Sequence, residues 1–438
     1  EYDIEGSGAA NVTIPANDLA ATSLDDFDPA ISPNGGEGTL RQALLNAHSF
    51  PGADVVVFGP GVSGTLLLTA GELLVASDLS IIGPGPGLLA ISGDLDQSGS
   101  PTPGDTRVIR VDDGDRGSVI NVTLSGLSIT GGMALGDTYP ENAGGGILNY
   151  GESLTVEETT VSQNAADFGG GIENGGELLV SRSTISFNSA TELGGGIDNF
   201  GSTLMVEGST FSDNSAGFGG GGIENTGSAS IHGSTFVGNF AVKVAGAVDN
   251  FGGDLAIANS TVSGNESQIG GGLVHENGLM TIVNSTVVGN NASLSLNASV
   301  GGGVYLTDTP NTTAHLDNSI VAGNTRDFNG ASIPSDLGGK LLTIQSSNNL
   351  IGDAGSAGGL QNGTSGNLTG IGGTGTRALA SIISPLGNNG GATQTHALIQ
   401  GSPAIDAGNN SLAVSTDATP FVFDQRGSGY PRIVAGTV

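Results

Sequence analysis

Two groups of oxygen-bearing side chains have the types and spacing for chemistry. The first lies in the stretch "DLDQSGSPTPGD", residues 94–105. Asp94, Asp96 and Ser98 stand at loop positions 1, 3 and 5, Gly99 at 6, Thr102 at 9 and Asp105 at 12, with Ser100 placed to give a main-chain carbonyl. That is the oxygen-ligand spacing of a calcium loop, in which carboxylate and carbonyl oxygens replace the water shell of a hard cation. The stretch departs from that pattern in ending on Asp rather than Glu, in holding Pro101 and Pro103, and in lacking helical flanks. The competing reading is an acidic surface turn. The second group is Glu173, Asp198, Glu224 and Asp249, at spacings of 25, 26 and 25 residues. Each sits between an apolar residue and an asparagine. On a strand the middle residue points away from its neighbours, so an inward apolar residue implies solvent-facing carboxylates. Stacked about 4.8 Å apart, they repel unless cations or hydrogen bonds intervene. The row then reads as a solvated face that blocks sheet aggregation, a cation stripe, or paired carboxylates hydrolysing a glycan.

The elements that carry these groups follow from the same period. Asn149, Asn174, Asn199, Asn225 and Asn250 recur every 25 or 26 residues, each two positions after Ile147, Ile172, Ile197, Ile223 or Val248. A second series, Asn188, Asn214, Asn239, Asn265 and Asn290, ends the words "STISFN", "STFSDN", "STFVGN", "STVSGN" and "STVVGN". Between them lies an alternating patch such as "LLV" or "LMV". Each copy thus holds three strand-length patches separated by Gly, Asn and Ser turns. One copy is too small to bury its own apolar face, so copies must stack. The result expected is an all-β parallel β-helix, three short strands per coil, with Ile on Ile and Asn on Asn. The stacked amides satisfy one another as ladders. A propeller is excluded by the period, since its blades need about 40 residues or more. Regular repeats run over 144–324, with an insertion "LSLNASV" at 294–300.

Composition narrows the function. Eleven Lys plus Arg against 42 Asp plus Glu give a net charge of −31. Such a surface repels nucleic acid and anionic lipid and attracts cations. Without cysteine, disulfides and thiolate metal sites are ruled out. No apolar run approaches the ~18 residues of a membrane span. His48, His232, His275, His315 and His396 show no ligand spacing, and most are expected in turns or at the surface. A lyase groove needs basic residues and aromatic platforms, whereas this chain has 11 basic residues, no Trp and only 4% aromatics.

Upstream, "GTLRQALLNAHSFPGAD" places Leu40, Ala43, Leu44 and Ala47 on one helical face with Thr39 as N-cap. Such a helix suits the open end of a solenoid, whose unpaired strand edges invite aggregation. The words "GTLRQALLNA…PGADVVVF" resemble the entry of secreted bacterial right-handed parallel β-helix proteins. "GGGI" and "STFxxN" are similar to polymorphic outer-membrane protein repeats. "SPLGNNGGATQTHALIQGSPAIDAG" with "FDQRGSGYPRIVAGTV" resembles the choice-of-anchor Q domain. These resemblances imply export and display at the cell surface, and carry no catalytic residue with them. The opening "EYDIEGSG" resembles the point where such a module ends, which implies a segment of a longer or tandem protein, or cleavage of a signal peptide before Glu1.

The chain divides into an N-terminal segment with its capping helix (1–50), the β-helix (51–335) and a C-terminal region (336–438) that continues or caps the solenoid. The reading is an exported, extracellular or cell-surface β-helix with a structural or adhesive role, possible as a subunit of a head-to-tail fibre, with calcium as its one candidate cofactor. The alternatives are a calcium-assisted polysaccharide lyase or glycoside hydrolase, and a module that binds carbohydrate or a cell-surface ligand.

Overall fold

The computed structural model describes residues 18–27, 36–50, 52–293, 300–340, 346–414 and 419–433. The insertion at 294–300, apart from Val300, and the opening "EYDIEGSG" lie outside them. One coil shows how the repeat folds. Its strands are Ile172–Asn174, Glu177–Ser181, Thr184–Ser186 and Ser189–Leu193. Each pairs in parallel with the same strand of the next coil, Ile172 on Ile197, Leu178 on Leu204, Ile185 on Phe211 and Ala190 on Ala216. The stacked strands make four sheets of 10, 11, 12 and 9 strands. Among the described residues all paired strands run parallel except Thr325–Phe328 with Ala331–Pro334, and isolated antiparallel bridges occur only after residue 352. The fold is the right-handed parallel β-helix.

Three strands of each coil match the repeated words, and the fourth, short one does not. It buries a single small residue, Ala166, Ala190, Ala216 or Ala241, so it lacks the apolar alternation that marks a strand. The interior is built from columns of like side chains. Ile147, Ile172, Ile197 and Ile223 form one; Val161, Ile185, Phe211 and Phe236 form another, and all are buried. The Phe211 and Phe236 rings stack at 4.6 Å. Fully burying such a side chain contributes about 1.5–3 kcal/mol, which is realised only when the next coil covers it.

The helix Leu40–Ser49 begins where Thr39 accepts a hydrogen bond from the Gln42 N–H at 3.2 Å. Leu40, Ala43, Leu44 and Ala47 are buried in the same core as Val56, Leu66 and Leu73, so the helix closes the apolar interior at this end. At the other end, strands Leu337–Gly339, Leu350–Ile351 and Leu368–Thr369 extend two of the sheets. The chain then leaves the coils and folds back along their flank. Thr235 donates to the Gln394 carbonyl at 2.7 Å, Thr261 to Gln425 Oε1 at 2.7 Å, and Asn318 to the Asn409 carbonyl at 2.8 Å. Arg432 donates to Asn284 Oδ1 at 2.8 Å. Gln394, Asn409, Gln425 and Arg432 therefore clamp several coils from outside.

Candidate cation and ligand sites

The asparagine columns set the geometry of everything beside them. Asn149 Nδ2 donates to Asn174 Oδ1 at 2.8 Å, Asn174 to Asn199 and Asn199 to Asn225 at 2.7 Å, and Asn225 to Asn250 at 2.5 Å. Each amide also donates to a carbonyl of its own turn, as Asn174 does to Gly176 at 2.9 Å. The column ends on His275, whose Nδ1 lies 2.9 Å from Asn250 Nδ2 while Nε2 faces the Gly278 and Thr313 carbonyls. That arrangement fixes a neutral imidazole with its proton on Nε2, and burial pushes its pKa down. His275 is the exception to the expectation that most histidines lie in turns or at the surface, because its ring replaces an amide in a buried ladder.

The second column runs Asn164, Asn188, Asn214, Asn239, Asn265, Asn290 and Asn324 with every side-chain bond at 2.9 Å. It ends on Asp336, whose Oδ1 accepts from Asn324. Alongside it, backbone N–H groups donate to the next hydroxyl in a row through Ser183, Ser209, Ser234, Ser260 and Ser285. Sequence words show the serines, but nothing in the pattern marks Asp336 or His275 as terminators.

Glu173, Asp198, Glu224 and Asp249 do stack in register, but they do not face solvent. Their exposures are 1%, 3%, 3% and 3%. The glycine word is the reason. Gly169, Gly194 and Gly220 have positive φ, a conformation that only glycine adopts freely, and the tight turn brings the preceding segment back across this face. A second ladder of Leu193, Gly219, Val244 and Ile269 runs there. A Cβ on Gly219 would lie 2.9 Å from Asp249 Oδ2 and 3.0 Å from Glu224 Oε2, so that covering ladder sits directly on the carboxylates. Burial pushes Glu173, Glu224 and Asp249 well above the ordinary carboxylate range and Asp198 up to about 7. One oxygen on each of the four has no partner. Arg107, buried against the Ala143 carbonyl, is the cation that counteracts the shift at Glu173.

The loop 94–105 brings Asp94, Asp96 and Asp105 together, one oxygen from each lying within 4.8 Å of the others. Those carboxylates organise the turn: Ser98 N–H donates to Asp94 and Asp96 at 3.0 Å, and Thr102 N–H donates to Asp105 at 2.6 Å. The Ser100 carbonyl accepts from Ser98 Oγ at 2.7 Å. Thr102 Oγ1 donates to Asp96 at 3.0 Å.

A third feature was not legible as a site. The residue after each asparagine of the first column turns outward, and in alternate coils it is aromatic: Tyr150, Phe200 and Phe251. Phe200 is 62% exposed and Phe251 54%. Two coils separate successive rings, about 10 Å at the spacing of stacked strands. The Arg116 guanidinium lies 3.4 Å from the Tyr150 ring centroid, and Tyr139 packs at 5.8 Å from the same ring.

No family model and no curated protein matches the chain. Solved structures with a similar fold include the A-module of a mannuronan C-5 epimerase of Azotobacter vinelandii, at 14% identity and a TM-score of 0.43, covering 76% of this chain and 92% of that one. A surface adhesin of Streptococcus pneumoniae is similar at 11% identity and a TM-score of 0.37, covering 69% and 84% respectively. Both likenesses concern the course of the backbone alone.

Proposed function

We propose that the protein is an exported, cell-surface β-helix that holds extracellular polysaccharide along its aromatic edge. The observation that carries this reading is the exposed pair Phe200 and Phe251, in line with the half-buried Tyr150 whose ring carries Arg116. Exposed aromatic rings give flat apolar faces on which sugar C–H faces can pack, and a row of them suits an extended chain better than a compact ligand. Self-satisfied ladders make the scaffold rigid, so the rings are held at fixed intervals before a ligand arrives. The resemblance of residues 384–408 to an anchoring module supports display at a cell surface. We also propose loop 94–105 as a calcium site. A rise in melting temperature at millimolar calcium that is lost in D94N/D96N supports that assignment, and an unchanged melting temperature removes it.

The hydrolase alternative loses its candidates, because carboxyls that cleave a glycosidic bond must flank it and all four stacked ones are covered. Head-to-tail assembly gains no specific support, since the helix Leu40–Ser49 closes one end of the core. The test of the main reading is binding to a panel of neutral and acidic polysaccharides. Retention by one class, lost in F200A/F251A with the fold intact, is the expected result. Equal retention by wild type and variant would contradict it.

A further inference from the structure

We propose that the covered row Glu173–Asp198–Glu224–Asp249 is an internal cation site, with hard oxygen-liganded ions of the calcium or magnesium class held between successive coils. Three observations converge on it. Each of the four carboxylates is at least nine-tenths buried, and each presents one oxygen with no hydrogen-bond partner: Glu173 Oε2, Asp198 Oδ1, Glu224 Oε2 and Asp249 Oδ1. An uncompensated buried carboxylate is among the most costly groups a fold can hold. Four in one column, repeated by the coil period, mark a built arrangement rather than a single defect.

The second observation is the cover. The covering ladder has Gly219 between Leu193 and Val244, and at Gly219 no side chain stands over the row. A Cβ there would crowd both Glu224 and Asp249, at 3.0 and 2.9 Å, so glycine keeps that space free of carbon over this pair. The third is the charge balance. Within the row Arg107, itself ion-paired with Glu72, counteracts the shift at Glu173 only. Among the described residues no basic side chain acts on Asp198, Glu224 or Asp249, the Glu224 and Asp249 carboxyl groups bond to each other, and Glu276 adds further negative charge beside Asp249. Oxygens from adjacent coils, a glycine turn beside them and no nearby base provide the donor set of a hard cation. A glycine-rich turn followed by one carboxylate per coil is also how repeat solenoids hold calcium between turns.

The test uses the whole protein in a D94N/D96N/D105N background, which removes the calcium loop. After chelation and gel filtration at pH 7, calcium or magnesium is added, and bound metal and melting temperature are measured. The expected result is at least one retained equivalent and a rise of several degrees in melting temperature. Adding E224Q/D249N should remove that equivalent and make the melting temperature insensitive to metal. Absence of retained metal in the D94N/D96N/D105N protein overturns the proposal and leaves protons as the neutralising species. Retention of the same equivalent by E224Q/D249N also overturns it, placing the ion at another acidic group such as Asp112, Asp113 and Glu152. Should E224Q/D249N fail to fold, D112N/D113N in the same background replaces it: an equivalent still retained supports the row, and its loss overturns the proposal by placing the ion at Asp112, Asp113 and Glu152.

Discussion

Asn174 and Glu173 are neighbours in one three-residue strand, both are buried, and both recur once per coil, yet their columns solve burial in opposite ways. The asparagine carries a donor and an acceptor on one flat group. A column of amides at strand spacing therefore closes on itself, each Nδ2 meeting the Oδ1 of the next coil and a turn carbonyl. The carboxylate carries acceptors only. A column of carboxylates stacks just as regularly but leaves an oxygen bare at every step. Identical spacing thus gives a self-sufficient ladder in one column and a site that requires something from outside in the other.

The largest expected effect breaks the self-sufficient side. Asn214 accepts from Asn188 and donates to Asn239 and the Ile185 carbonyl. Asn214→Leu strands those partners without water, and should cost on the order of 3 kcal/mol by urea denaturation; a cost below about 1 kcal/mol would show that the ladder contributes little. The carboxylate column should respond with the opposite sign. In chelated protein at pH 8, Asp249→Asn removes an unmatched buried charge and should raise stability by about 1 kcal/mol or more. Destabilisation of similar size to Asn214→Leu would erase the contrast.

A pH titration sharpens the contrast at the point where the two chemistries meet. Asp336 ends the second amide column as a carboxyl, and burial raises its pKa from 3.8 to about 7 against the lowering effect of its hydrogen bonds from Asn324 and Asp353. The folded protein then keeps this proton through a range in which the unfolded chain has lost it. Stability contributed by the protonated group is complete below pH 3.8, declines as pH rises and is lost at about pH 7. Asp336→Asn should flatten that slope, whatever its effect on absolute stability. An unchanged slope would mean that the carboxyl stays ionised.

The smallest effect on stability belongs to the exposed edge. Phe200→Ala should change stability by no more than about 0.5 kcal/mol, while weakening polysaccharide binding about tenfold, the size of a modest binding hot spot. Loss of stability without loss of binding would make the ring part of the scaffold.

The fold was legible because its signal is periodic. Ile172, Ile197 and Ile223 declare the coil by spacing alone, and the asparagines two positions later declare the ladder. Burial of the acidic row was not legible. Alternation correctly sends Glu173 away from Ile172, but outward from the core is not outward to water when a glycine turn brings a second layer across. Gly169 and Gly219 held that information, and sequence gives a glycine no label for what it lies against. The short fourth strand escaped for a related reason, since one alanine per coil is no pattern. The aromatic edge escaped because low aromatic content was weighed only against a lyase groove, whereas position at a turn in alternate coils is what gathers the rings.

The most direct measurement is a crystal structure from calcium-containing solution at neutral pH with anomalous data. Anomalous density within carboxylate reach of Glu224 and Asp249, and none along the asparagine column, is the expected result. A column of carboxyl groups bonded to one another, with no ion between Glu224 and Asp249, would contradict the division of the coil into a closed ladder and an open one.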